Sequence, residues 1–133
     1  MRVTQVSAFL ENRPGRLLYL LNVLAEHDIN LIAHNIVDAS DFGIVHLIVE
    51  DPDKALATIR AEGITASSTT VLRVQVPDEA GAFVRRVLQP LAENKVNIEY
   101  SYAYSASGTG KATIVIKVDD VAAAERLLSD LDA

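Results

Sequence analysis

The sequence predicts an α+β protein of two tandem βαββαβ units, each an antiparallel sheet with helices on one face, the second lacking its last strand. Three observations carry this expectation: an internal repeat, a hydrophobic spacing that switches between strand and helix periods within each copy, and a chain that stops just after its last helical pattern.

The repeat is plain in Leu24-Ala25-Glu26-His27-Asp28-Ile29-Asn30-Leu31, which matches Leu91-Ala92-Glu93-Asn94-Lys95-Val96-Asn97-Ile98 at an offset of 67 residues. Upstream, Gly15 matches Gly81 at an offset of 66, so the second copy holds one extra residue in between. Pro90 falls in that interval. A proline inside a helix removes a hydrogen bond and clashes with the preceding turn, at about 3 kcal/mol, so a kink or bulge is expected there. Val45, Leu47 and Val49 match Ile114, Ile116 and Val118 at an offset of 69, and the two further residues are assigned to the turn containing Gly108 and Gly110. The copies divide at residues 1–70 and 71–133.

Within the first copy, Val6, Ala8 and Leu10 alternate as a half-buried strand. The loop from Glu11 to Gly15 precedes a helix with Leu17, Leu20, Leu21 and Leu24 at helical spacing. Ile29, Leu31 and Ala33 begin the second strand, Asp41-Phe42-Gly43 is read as its turn, and Val45, Leu47 and Val49 form the third. Asp51-Pro52 starts a helix, Asp as cap and Pro at the first position, and Gly63 closes it. The strand Thr65 to Thr70 runs directly into Leu72, Val74 and Val76 of the next copy. The order is the split-βαβ, or ferredoxin-like, arrangement. A unit of about 66 residues is marginal alone, so the two are expected to share an interface. After the helix Val121 to Leu131 only Asp132 and Ala133 remain, which leaves Leu72–Val76 with an open edge that a second chain could cover.

Composition narrows the function classes. Half of the 133 residues are hydrophobic but only 5% are aromatic, with no Trp, so the core must be aliphatic. The absence of Cys excludes a disulfide framework, thiol catalysis and thiolate metal sites, and fits a reducing cytoplasm. The start, MRVTQVSAF, alternates polar and apolar residues rather than forming a signal peptide, and no apolar run approaches the ~20 residues that span a bilayer. A net charge of -6 opposes sequence-independent nucleic-acid binding. A soluble cytoplasmic protein is expected, with neither nucleic acid nor membrane as partner.

The loop Glu11-Asn12-Arg13-Pro14-Gly15-Arg16-Leu17 and the segment Asp28-Ile29-Asn30-Leu31 are the informative residues. The loop ends at a helix N-terminus, whose unpaired N–H groups and partial positive charge suit a carboxylate. Gly15 lets a ligand approach the backbone, and Asn12 and Asn30 each offer donors and an acceptor, the mixture an amino acid's ammonium and carboxylate want. Early residues of the second strand are expected to reach this site within the unit or across an interface. Plainer readings stand beside this one: Asn12 as a helix cap, Asn30 in a local turn bond.

Glu11-Asn12-Arg13-Pro14-Gly15 followed by Ile29-Asn30-Leu31 resembles the ACT domain, the amino-acid-sensing regulatory module, and especially the serine-binding ACT domain of phosphoglycerate dehydrogenase. In that family an Asn of the loop and an Asn at the start of the second strand hold the amino acid between two domains, roles that carry over to Asn12 and Asn30. Leu10 stands where that enzyme's domain has a His, a departure that weakens the implication of serine as the ligand. The second copy, Pro77-Asp78-Glu79-Ala80-Gly81, keeps the Gly, replaces the loop Asn with Asp78, and retains Asn97. A carboxylate there would favour an ammonium and repel a ligand carboxylate. The resemblance thus implies a ligand-binding set of Leu10, Asn12, Arg13, Pro14, Gly15, Arg16, Leu17, Asn30 and Leu31, with Asp78, Gly81, Ala82, Asn97 and Ile98 in the second copy. The whole chain resembles stand-alone tandem ACT proteins. That implies a non-catalytic regulatory sensor of a free amino acid, a homodimer, and a regulated enzyme as a partner. The alternative is a structural dimerisation module with no ligand.

Tyr100, Tyr102 and Tyr104 share one strand face and, in phase with Val96 and Ile98, are expected to face the helices as packing; reaching the ligand, or stacking on RNA bases, are the other readings. His27 closes a helix, while His34 and His46 lie on neighbouring strands of one hairpin, where a metal pair would still need a third ligand. No nucleophile-elbow, phosphate-loop or zinc motif occurs, and Gly108-Thr109-Gly110-Lys111 sits in a hairpin turn. No catalytic residue, metal site or cofactor is expected.

Overall fold

A computed structural model describes residues 1–104 and 110–131. The order is β1 (Arg2–Glu11), α1 (Arg16–Glu26), β2 (Leu31–Ala39), β3 (Phe42–Val49), α2 (Pro52–Ala61) and β4 (Ala66–Pro77). A π-helical segment (Val84–Leu88) follows, then α3 (Gln89–Glu93), β5 (Ile98–Tyr104), β6 (Lys111–Val118) and α4 (Val121–Leu127). Two antiparallel βαββαβ-type units result, as expected. The first comprises Thr4–Thr69; the second comprises Thr70–Ala133 together with Met1–Val3.

In the first unit the strand order is β2-β3-β1-β4. Val6, Ala8 and Leu10 of β1 oppose Leu47, Val45 and Gly43 of β3, so the alternation of the two strands is in phase. That shared face buries Leu20 and Leu24 of α1 and Ala55 and Ile59 of α2. Burial of each of the larger side chains, Leu20, Leu24 and Ile59, contributes about 1.5–3 kcal/mol. Asp51 caps α2 by accepting a hydrogen bond from Lys54 N at 3.1 Å, with Pro52 at the first helical position. In the second unit the order is β5-β6-β4, and Leu72, Val74, Val76, Val87, Leu91, Ile114, Ile116 and Leu128 form the core.

The edge of β4 in the second unit is not left open. Arg73 N donates to Met1 O at 2.8 Å, and Met1 packs against the core of that unit. The start of β1 thus occupies the place where a fourth strand would pair, which corrects the expectation of an exposed Leu72–Val76 edge. Asp78 N bonds Gly110 O, so even-numbered residues of β4 face β6 and odd-numbered ones face Met1–Val3.

Both second strands contain the same irregularity. In β2 the register slips between Leu31, opposite Val49, and Ala33, opposite Ile48. In β5 it slips between Ile98, opposite Val118, and Tyr100, opposite Lys117. One extra residue in a period-two strand reverses the face of everything after it. Leu31 and Ile98 therefore pack on the helical side, whereas Tyr100, Tyr102 and Tyr104 share the opposite face with Lys117, Val115 and Thr113. This overturns the expectation that the tyrosines continue the phase of Ile98. Tyr102 is buried there, and burial raises its phenol above the ordinary range.

The extra residue near Pro90 is absorbed as anticipated. Gln89 N bonds back to Val84 O, five residues upstream, and this π turn comes immediately before the proline. Two boundaries differ from expectation: Phe42 and Gly43 belong to β3 rather than to the turn, and α4 ends at Leu127. Gly108, Thr109, Asp132 and Ala133 lie outside the described residues, and with them the turn assigned the two inserted residues.

Candidate functional site

The first loop is shaped by backbone bonds. Asn12 N donates to Asp41 O at 2.8 Å and Arg13 N to Glu11 O at 2.9 Å, folding the chain back before α1. Gly15 precedes the helix at φ +87°, a conformation that disfavours any residue with a Cβ, and no heavy atom lies within 4 Å of where a Cβ would stand. The helix start has no side-chain cap and no acidic residue in its first turn, so its partial positive charge is unanswered by either. Asn12 is not the cap. Its Nδ2 instead donates to Asp38 Oδ1 at 3.1 Å and to Ser40 O at 3.3 Å, clamping the loop to the β2–β3 hairpin.

Beneath this clamp is a cleft of about 190 Å³, lined by Leu10, Glu11, Asn12, Arg13, Leu17, Ile36, Asp38, Gly43 and Val45. Its origin is a gap in the sheet surface. Leu10, Gly43 and Asp38 lie side by side across β1, β3 and β2, and Gly43 contributes no side chain to that row. The adjoining row contains Val45 and Ile36, which close the hollow on the strand side. At the rim, Arg13 pairs closely with Glu11, and Arg16 Nε stands 3.9 Å from Glu11 Oε1. The Arg16 guanidinium also lies 5.0 Å from the Tyr19 ring centre, and its buried Nε has no hydrogen-bond partner.

Of the residues singled out in the first copy, Leu10, Asn12, Arg13 and Leu17 line the cleft, whereas Pro14, Gly15 and Arg16 flank it. Asn30 and Leu31 are elsewhere. Asn30 Nδ2 donates to Glu50 Oε1 at 3.1 Å, and its carbonyl accepts from Glu50 N at 3.2 Å. Asp41, bonded to Asn12, and Glu50, bonded to Asn30, flank opposite ends of β3, nine residues or ~30 Å apart. Within the unit the two amides do not meet. Ile36, Asp38, Gly43 and Val45 were missed, because Asp41-Phe42-Gly43 reads as a turn; centring the hairpin on Ser40-Asp41 places Asp38 beside Gly43.

The second unit repeats this scaffold with a different loop. Asp78 N donates to Gly110 O at 3.0 Å, and Gly81 adopts φ +81°. A Cβ at Gly81 would come within 2.5 Å of Arg85 Nη1, so the guanidinium occupies the space that is open at Gly15. Asn97 is bonded to Asp119 through both backbone groups, at the far end of β6 from Asp78. Ala82 and Ile98 belong to the core packing.

His34 and His46 do not form a pair. His34 opposes Leu47 on the helical face, while His46 opposes Asn35 on the other and contacts Ser7 Oγ at 2.9 Å and Gln5 Nε2 at 3.0 Å. Among the described residues no group of three or more His, Cys, Asp or Glu side chains could hold a metal, and no helix is long and apolar enough to cross a membrane.

Two antiparallel ferredoxin-like units in tandem, each with a positive-φ glycine before its first helix, match the class of fold expected of an ACT pair. The chain belongs to the ACT domain pair family, whose model matches residues 1–131. Protein BT0572 from Bacteroides thetaiotaomicron is similar in sequence and structure: 35% identity, a TM-score of 0.92, and coverage of 99% of this chain and 91% of that one. The regulatory subunits of aspartate kinase from Thermus thermophilus, in its ligand-free form, and from Thermus flavus share the fold at 16% identity. Their TM-scores are 0.66 and 0.67, covering 95% and 97% of this chain and 90% and 94% of theirs. No curated protein matches the sequence.

Proposed function

We propose that the protein is a non-catalytic sensor that holds a free amino acid in the cleft of its first unit, closed by Asn30 of a second copy. One observation carries the reading: the cleft and Asn30 stand at opposite ends of the same edge strand. In the order β2-β3-β1-β4, β2 is outermost. Two copies of β2 pairing antiparallel reverse direction relative to each other, which brings the Asn30 end of one beside the Asp38 end of its partner. The separation within one unit thus becomes proximity between two. Ile32, Ile36 and Val37 of β2 are exposed large hydrophobics, apolar surface that such pairing would bury.

The ligand's charged head fits the rim. Asp38 and the Asn12 carbonyl oxygen accept from an ammonium, while Arg13 and the open start of α1 face a carboxylate. A ligand that touches both copies binds the dimer and not the monomer, so its concentration sets the population of dimer. That population is what a regulated enzyme partner would read.

Thermal melting with each of the twenty amino acids, alongside sedimentation, tests this. A native-state ligand at ~100 times its Kd adds about 2.7 kcal/mol. The expected result is a rise in melting temperature with a restricted set of amino acids, a larger dimer fraction, and loss of both in Asn30→Ala. No response to any amino acid, with a dimer that persists regardless, would instead establish a structural dimerisation module.

A further inference from the structure

The cleft has a floor and a rim of opposite chemistry. Leu10, Gly43 and Val45 are buried and Ile36 is 47% exposed, and none of these four brings a charge or a hydrogen-bonding side chain. The polar lining residues are the half-buried Glu11 and the exposed Asn12, Arg13 and Asp38; they form the rim, where Asn12 donates to Asp38 and the Glu11 carboxylate is taken up by Arg13. We infer that the ligand is an amino acid with an aliphatic side chain of three or four carbons, its side chain on this floor and its charged head at the rim. This rests on the amino-acid reading of the cleft and narrows it.

Two physical arguments select that class. A hydroxyl, amide or charge lowered onto Leu10, Val45 and Ile36 would give up water without finding a partner. Each buried methylene, by contrast, strengthens binding about fourfold. Size sets the upper limit: the cleft of about 190 Å³ is smaller than the ~300–1,000 Å³ of ordinary ligand pockets. Its depth is set by Gly43. A Cβ built there would lie 3.4 Å from Val37 O and 3.6 Å from Ile36 Cγ2, ordinary contact distances, so one methyl fits without displacing protein and takes up ligand space.

Calorimetric titration with glycine, alanine, valine, leucine, isoleucine, serine, threonine, aspartate and lysine provides the test. Affinity should climb from alanine to the branched side chains by roughly 10- to 100-fold. Valine should exceed threonine, its hydroxylated isostere, by at least about tenfold. Gly43→Ala should move the optimum to a smaller side chain, and Ile36→Ser, at a half-exposed position, should flatten the ranking while the protein stays folded by circular dichroism. Tighter binding of serine, threonine or a charged amino acid than of valine overturns the aliphatic inference alone, as does a ranking unmoved by both substitutions. Silence from every amino acid overturns the amino-acid reading beneath it.

Discussion

Gly15 and Gly81 have nearly the same backbone, φ +87° and +81°, but different surroundings. Nothing stands over Gly15, whereas the Arg85 guanidinium stands over Gly81. The loop residues differ in kind as well. Asn12 spends both amide hydrogens on Asp38 and Ser40, which leaves its oxygen and the Asp38 carboxylate as acceptors. In the second unit Asp78 puts a carboxylate at the matching loop position. The turn dictates the glycine, so duplication preserves it; the side chains above it are free to diverge. One scaffold thus presents a cleft in the first unit and a cation in the second.

The largest effect should come from the acceptor in the first cleft. A hydrogen bond to a charged group is worth about 1.5–3 kcal/mol, so Asp38→Ala should weaken amino-acid binding by roughly 10- to 100-fold. Asp78→Ala should leave that binding unchanged. Titrating both variants checks the asymmetry, and equal losses would mean that the second loop takes part after all.

Removing Met1–Val3 probes the other difference, since only the second unit borrows its edge strand. The loss includes the Arg73 N–Met1 O hydrogen bond, the packing of Met1 and the exposed Arg2–Glu125 pair. The first two together are worth about 2 kcal/mol. Hydrogen exchange should quicken at Arg73 while Phe9, bonded to Thr65 O at 2.9 Å in the first unit, stays protected. Equal quickening at both sites would show that the two units open together.

What the sequence disclosed follows the range of the interactions involved. The repeat, the Asp51-Pro52 start of α2 and the disturbance at Pro90 are local patterns, readable from a few adjacent residues. The bulges after Leu31 and Ile98 are not: one inserted residue leaves no composition signal, yet it turned Tyr100, Tyr102 and Tyr104 to the other face. Register likewise hid half of the cleft. Asp38, Ile36 and Val45 join Leu10 only once β2 and β3 are aligned about Ser40-Asp41. The pairing of Met1 with Arg73 spans the whole first unit and has no local mark.

The two glycines invite a smaller test. Placing an L-residue in the left-handed region costs about 1–2 kcal/mol, so Gly15→Ala and Gly81→Ala should each lower stability by that order. Gly81→Ala must also displace the Arg85 side chain, which is exposed and can swing away, so its excess should stay below about 0.5 kcal/mol. Chemical denaturation of Gly81→Ala with and without Arg85→Ala isolates the coupling. An excess above 1 kcal/mol would mean that Arg85 is held rigidly over the loop.

The smallest expected difference concerns acid. On the non-helical face the first unit has Gln5, Ser7 and His46 where the second, by the repeat, has Val71, Arg73 and Val115. Burial holds the His46 pKa below its usual 6.5, so the folded state resists taking up a proton that the unfolded chain accepts readily. The neutral ring's contribution is therefore complete above pH 6.5 and declines as pH falls from there through the lowered folded value. One such site can supply at most about 1.4 kcal/mol per pH unit, and a modest shift only a fraction of that. Hydrogen exchange between pH 7 and 5, corrected for intrinsic rates, should show the first unit loosening relative to the second, and His46→Gln should remove the difference. A difference that survives the substitution would assign acid sensitivity to other groups and leave His46 a packing residue.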